Sequence, residues 1–119
     1  MAGELETTTL IPRFSSFLGA GTYRSVGLGV TDFAAATVHV WRGPLIGTSP
    51  TVSFAFEESI DQENWTVCAG DAGGDPGASA EGVYAITLKK RWFRIKVTLG
   101  GTNPGVTCWT VAGLERRES

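Results

Sequence analysis

The chain is poor in the residues that most often carry chemistry: one histidine, two cysteines and one methionine in 119 positions. A single His39 excludes any site needing two imidazoles from one chain. No G-x-S-x-G elbow accompanies it, so a Ser-His-Asp arrangement lacks its nucleophile. Cys68 and Cys108 are too few for a disulfide framework, and both are expected as buried free thiols. Charged residues make up only 18% of the chain and the formal net charge is −2. That balance gives no long-range pull toward nucleic acid. No apolar run approaches the roughly 20 residues that span a bilayer. The opening MAGELETTTLIPRF starts acidic and lacks the basic start and apolar core of a secretory signal, so synthesis and assembly in a cytoplasm are expected. Without that signal, the glycosylation pattern at Asn64-Trp65-Thr66 reads as chance.

What is present is alternation. In residues 51–57, Val52, Phe54 and Phe56 fall on one side of an extended strand, with Thr51, Ser53, Ala55 and Glu57 on the other. Residues 91–99 repeat the pattern: Phe93, Ile95, Val97 and Leu99 face one way, and Trp92, Arg94, Lys96 and Thr98 the other. These two strands are expected at the centre of a sheet. Shorter strands are expected at 22–28, 36–42, 64–69, 82–88 and 106–115, rich in β-branched and aromatic residues and separated by Gly/Pro/Asn clusters. Lys89-Lys90 reads as a tight turn joining 82–88 to 91–99 as a hairpin. GDAGGDPGASAEG (70–82) reads as a surface loop, and GGTNPG (100–105) as a turn between two strands. The polar stretch SIDQENW (59–65) is expected to turn and fold Trp65 back over the end of the core.

Residues 1–21 stand apart. Leu10, Ile11, Phe14, Phe17 and Leu18 recur around Pro12 and stop at Gly19-Ala20-Gly21. The stretch is expected as a short helix with Pro12 near its first turn, as an extended N-terminal arm that lays apolar residues on a neighbour, or as a first edge strand of its own domain. The overall expectation is an all-β protein: an antiparallel β-sandwich or jelly roll of about seven to eight strands over 22–119, preceded by the arm at 1–21, with a closed barrel of similar strand count as the main competitor.

No constellation passes as a catalytic or metal site. Asp71 and Asp75 in DAGGDPG offer too few carboxylates for a hard cation, which takes about six to eight oxygens. VGLGV (26–30) is not followed by a phosphate-cradling helix. Glu57, Glu58, Asp61 and Glu63 crowd one strand end, where paired carboxylates are usually just solvated. Lys89, Lys90, Arg91, Arg94 and Lys96 form the one basic cluster. With Trp92 it has the parts of a stacking groove for nucleic acid, or of a sheet face whose cations pair across strands, with Glu57 among the partners. The overall acidity favours the second.

FEESIDQENWTV followed by GVYAITLKKRWFRIKVTLGGTNPGVTCWTV, within residues 51–112, resembles the small β-sandwich decoration (cement) proteins of tailed bacteriophage heads. The same turn and strand are also similar to discoidin-type carbohydrate-binding sandwiches, although the terminal cysteine pair of that family is missing. The first resemblance implies a non-catalytic virion protein without cofactor or metal. It would decorate and stabilise the outer surface of a capsid, bind the major capsid protein and assemble as a homo-oligomer, a trimer being favoured, with no nucleic-acid or membrane partner. The second implies a sugar-binding module. On the side chains themselves, the expected contact residues are Leu10, Ile11, Phe14 and Phe17 on the arm, Trp41 on its strand, and Trp92 with Arg94 on theirs, because Trp and Arg are common interface anchors.

Overall fold

The computed structural model describes residues 5–117, except the side chains of residues 5, 6, 13 and 14. The described residues form nine strands: β1 (Leu5–Leu18), β2 (Gly21–Arg24), β3 (Leu28–Gly29), β4 (Phe33–Arg42), β5 (Ile46–Ser59), β6 (Trp65–Val67), β7 (Ala69–Gly70), β8 (Ala80–Thr87) and β9 (Trp92–Arg116). All pairings are antiparallel. The all-β, antiparallel sandwich expected from the alternation is the observed fold class.

β9 is the spine. Along one edge run β1, β2 and β3 in succession, from Leu5 opposite Glu115 to Gly29 opposite Trp92. Along its other edge run β4 and β5, from Phe33 opposite Arg116 to Ser59 opposite Trp92. The result is a three-stranded ribbon folded in half, for the two ends of β9 meet again. The Val30 amide donates to the Arg91 carbonyl at 2.7 Å and the Arg117 amide to the Asp32 carbonyl at 2.8 Å. The first sheet therefore holds β6, β5, the N-terminal half of β9 and β2–β3. The second holds β1, the C-terminal half of β9, β4, β8 and β7.

The fold line passes through all three strands of the ribbon at one level. Gly19 and Gly21, Gly47 and Ser49, and Gly101 and Asn103 all have positive φ there, a conformation most side chains disfavour. The line is also tight. A methyl at Gly101 would lie 2.7 Å from the Ser49 carbonyl oxygen, and one at Gly47 would lie 2.6 Å from that of Asn103. Two expectations are corrected by this. GGTNPG is a bend within one 25-residue strand, not a turn between two. Residues 82–88 do not form a hairpin with 91–99; β8 pairs with β4 and β7. The amides that a hairpin would use go elsewhere, Leu88 to the Ala34 carbonyl and Lys89 to the Glu58 carboxylate.

The core lies between the halves. Val52, Phe54, Phe56, Phe93, Ile95, Val97 and Leu99 face Val38, Val40, Ile86, Leu88, Val106, Cys108, Ala112 and Leu114. Phe56 joins the layers, stacked on Phe93 at 6.4 Å and tilted against Tyr84 at 5.4 Å. The 65–74 segment closes one flank, because Phe54 and Gly74 exchange backbone bonds while Asp71 bonds to Ala85. The glycine-rich loop is thus stitched to both sheets. Asp71 and Asp75, weighed above as cation ligands, instead accept from the Ala85 amide and from Arg42.

The N-terminal stretch is an edge strand, the last of the three alternatives, and not a helix. β1 pairs with β9 from Leu5 to Leu18, with irregularities between Thr9 and Ser15 around Pro12. Pro12 has no amide to donate, so a break in the ladder there is the expected consequence. Ile11, offered above as an arm contact, is 5% exposed and belongs to the core. Leu10 and Phe17 pack against it, and Phe17 meets Tyr23 at 5.0 Å. The Phe14 side chain lies outside the described residues.

Candidate functional site

The outer face of the first sheet gathers charge and aromatics. Strand alternation puts Arg94 and Lys96 of β9, Arg24 of β2, and Glu57 of β5 on the side opposite the core, and the register sets Glu57 directly across from Arg94. Arg94 Nε donates to Glu57 Oε1 at 2.8 Å. Arg24 Nε stands 3.9 Å from the same oxygen and Lys96 Nζ 3.7 Å from Glu57 Oε2. Three cations around one carboxylate leave this face positive within an acidic chain. The cross-strand pairing weighed above is the arrangement found. Glu57 and Glu58 are both buried, against the expectation of solvated carboxylates. Glu58 points inward because it continues the Val52/Phe54/Phe56 side of β5, and its carboxylate accepts there from the Lys89 amide.

Trp65 completes the face. Its indole lies over the Arg94 guanidinium, 3.9 Å from carbon to ring centroid. It reaches far enough that a methyl on Gly27, beyond the opposite edge of the sheet, would come within 3.2 Å of it. The ring therefore folds back over the sheet as expected, but onto the outer face and not the end of the core. The turn that carries it is held by Asp61. That carboxylate accepts from the amides of Asn64 and Glu63, the Asn64 side chain and the Ser59 hydroxyl, and these bonds hold it well below the usual carboxylate range. Trp92 lies at the edge of this face, its ring against Gly29.

The outer face of the second sheet is built differently. Thr37, His39 and Trp41 point outward from β4 while Val38, Val40 and Arg42 point in. Trp41 and Trp109, register partners across β4 and β9, sit with ring centroids 6.2 Å apart. His39 Nδ1 is 2.9 Å from Glu81 Oε1. Of the residues predicted as contacts, Trp92 and Arg94 thus share one outer face and Trp41 lies on the other. Sequence reasoning missed Trp65 and Arg24 as members of the first face and Trp109 as the neighbour of Trp41. The row Trp92/Arg94/Lys96 was readable in the alternation; the arrival of Arg24 and Trp65 from other strands was not.

No protein-family model matches the sequence, and no curated protein sequence does. Solved structures match the fold. The crystal structure of PBSX exported protein XepA superposes with a TM-score of 0.71 at 14% identity, covering 96% of this chain and 38% of that one. The SPBc2 prophage-derived protein YomS covers 92% of this chain and 93% of its own at a TM-score of 0.52 and 12% identity. A chain of the T13 viral particle of infectious bursal disease virus matches over 95% of this chain and 31% of its own, at a TM-score of 0.57 and 9% identity. The chain therefore spans well under half the length of the first and third. At these identities the likeness is one of fold, a sandwich found in an exported protein, a prophage-derived protein and a viral particle.

Proposed function

We propose that this chain is a non-catalytic structural component of a phage particle, seated as a decoration protein on the outer surface of the capsid. The observation that carries the reading is the fold it has in common, over nearly its whole length, with the PBSX exported protein XepA, the prophage-derived protein YomS and part of an icosahedral virus particle. The docking surface in this reading is the outer face of the first sheet. β1 serves poorly as a free arm, since Ile11 belongs to the chain's own core. Trp92, Trp65 and Arg94 are the residue types that anchor protein interfaces, and Arg94 is already held in one geometry by Glu57 and Trp65, so less ordering cost falls on binding. The partner is the major capsid protein. Assembly as a homo-oligomer, a trimer in the simplest case, multiplies a modest single-site affinity through effective concentration.

The test uses heads produced by a phage lacking this gene. Purified protein added back should co-sediment with those heads and appear on their outside by cryo-electron microscopy. Trp92→Ala should weaken decoration by about thirtyfold, the equivalent of about 2 kcal/mol for an interface anchor. Absence of the protein from purified wild-type virions by mass spectrometry would overturn the proposal.

A further inference from the structure

The outer face of the second sheet carries a depression of about 360 Å³. Its walls are Trp109 and Val111 of β9, its rim is His39, Glu81 and Thr7, and its floor is Gly113. Gly113 explains why the depression exists. Its backbone does not require glycine, and a methyl there would meet nothing nearer than the Thr37 carbonyl oxygen at 3.9 Å. Neither strain nor close packing demands the missing side chain, yet a residue as large as leucine would project into the space.

We propose that this depression is a binding site for a neutral pyranose sugar. The volume lies at the small end of ligand pockets and holds roughly one or two sugar rings. A pyranose has an apolar face of C–H groups and a rim of hydroxyls, and the depression has the matching parts. The negative face of an indole attracts C–H groups, which carry slight positive charge. Glu81 accepts from hydroxyls. His39 lies 2.9 Å from that carboxylate, and its bond limits the directions the acceptor can take. Trp41, packed on Trp109, backs the ring wall. A sugar acid is disfavoured because its carboxylate would face Glu81 at close range. The proposal is independent of the capsid reading: a protein that bound sugar and never entered a virion would leave it standing.

The experiment is a titration of the whole chain with the methyl β-glycosides of glucose, galactose, mannose and N-acetylglucosamine, and with trisaccharides of each. Amide chemical shifts are followed in parallel with tryptophan fluorescence. At least one sugar should bind with a millimolar or tighter constant, moving the amides of Thr7, His39, Glu81, Val111 and Gly113 and leaving those of Arg24 and Lys96 in place. Gly113→Leu should abolish the shifts with the thermal midpoint preserved, and Glu81→Gln should weaken binding at least tenfold. Trp92→Ala, on the other sheet, should bind as wild type. The proposal is overturned if no sugar shifts the spectrum at about 20 mM, well above a millimolar constant. It is equally overturned if Gly113→Leu binds unchanged, or if the shifts map to the first sheet.

Discussion

Arg42 of β4 points into the sandwich and meets Asp75 of the glycine-rich loop in a two-pronged ion pair, Nε to Oδ1 at 2.7 Å and Nη2 to Oδ2 at 2.9 Å. Arg42 is buried and Asp75 is not, so one end of the pair cannot return to water. The arginine lowers the Asp75 pKa, opposed by partial burial and helped by the Gly77 amide. A carboxyl depressed in the folded state adds stability above its unfolded pKa, and that stability is lost as pH falls through the folded value. Asp75→Asn should therefore cost stability at neutral pH and level out in acid. Breaking a fully buried pair costs about 3–5 kcal/mol; with Asp75 partly in water, about 2 kcal/mol is expected after discounting for screening. Urea unfolding of both proteins from about pH 7 down to pH 2 should show the two stabilities converging. A constant gap across the range would mean the charge of Asp75 contributes nothing.

The fold line makes a second prediction. Gly101 combines a φ of +105° with three backbone atoms within 3.0 Å of a would-be methyl. Gly101→Ala should destabilise by about 3 kcal/mol or more, as strained backbone and overpacking combine. Gly113→Ala, with an open neighbourhood in the same strand, should change stability by less than about 0.5 kcal/mol on the scale of surface substitutions. Equal thermal midpoints for the two variants would contradict the folded-ribbon geometry.

The cysteines make a third. Burial pushes the Cys68 thiol up to about 12, with Glu58 and Glu57 adding to the effect, and burial alone pushes Cys108 up to about 11. The thiolate is the reactive form, so both should resist alkylation in the native protein at neutral pH. Mass spectrometry should find no adduct before denaturation and two after it. Rapid native labelling of either would mean that its strand opens.

The Trp65–Arg94 contact makes a fourth. Trp65→Ala removes a cation–π contact of about 0.5–2 kcal/mol from a half-buried ring, so a loss of about 1–2 kcal/mol is expected instead of the 3–5 kcal/mol typical of a core aromatic. Glu57→Gln should cost a similar amount by leaving Arg24, Arg94 and Lys96 to repel one another, and added salt should recover much of it. No salt dependence would show that the three cations do not feel each other.

Much of this was legible in the sequence, and the part that was not has one cause. Val52, Phe54, Phe56, Phe93, Ile95, Val97 and Leu99 are buried as their alternation requires, because facing inward or outward is a property of each strand alone. The outward row Thr37/His39/Trp41 was readable for the same reason. The first outer face was half readable: Arg94 and Trp92 lie on one strand, but Trp65 and Arg24 reach them across neighbouring strands, and strand order is not written in alternation. Lys89-Lys90 misled because a short polar link between two strands looks the same whether or not they pair. What decides is that the Leu88 and Lys89 amides find Ala34 and Glu58, residues distant in sequence.

The sequence by itself determined the class of fold, the inward rows of the core and the places where the chain must change direction, since glycine and asparagine clusters mark positive φ wherever they fall. Only the tertiary structure decided that Gly19–Gly21, Gly47–Ser49 and Gly101–Asn103 lie on one line. Each cluster alone suits a turn between strands. With the three aligned, folding the ribbon in half buries both inner faces against each other, and that burial is a gain no local stretch of chain can register.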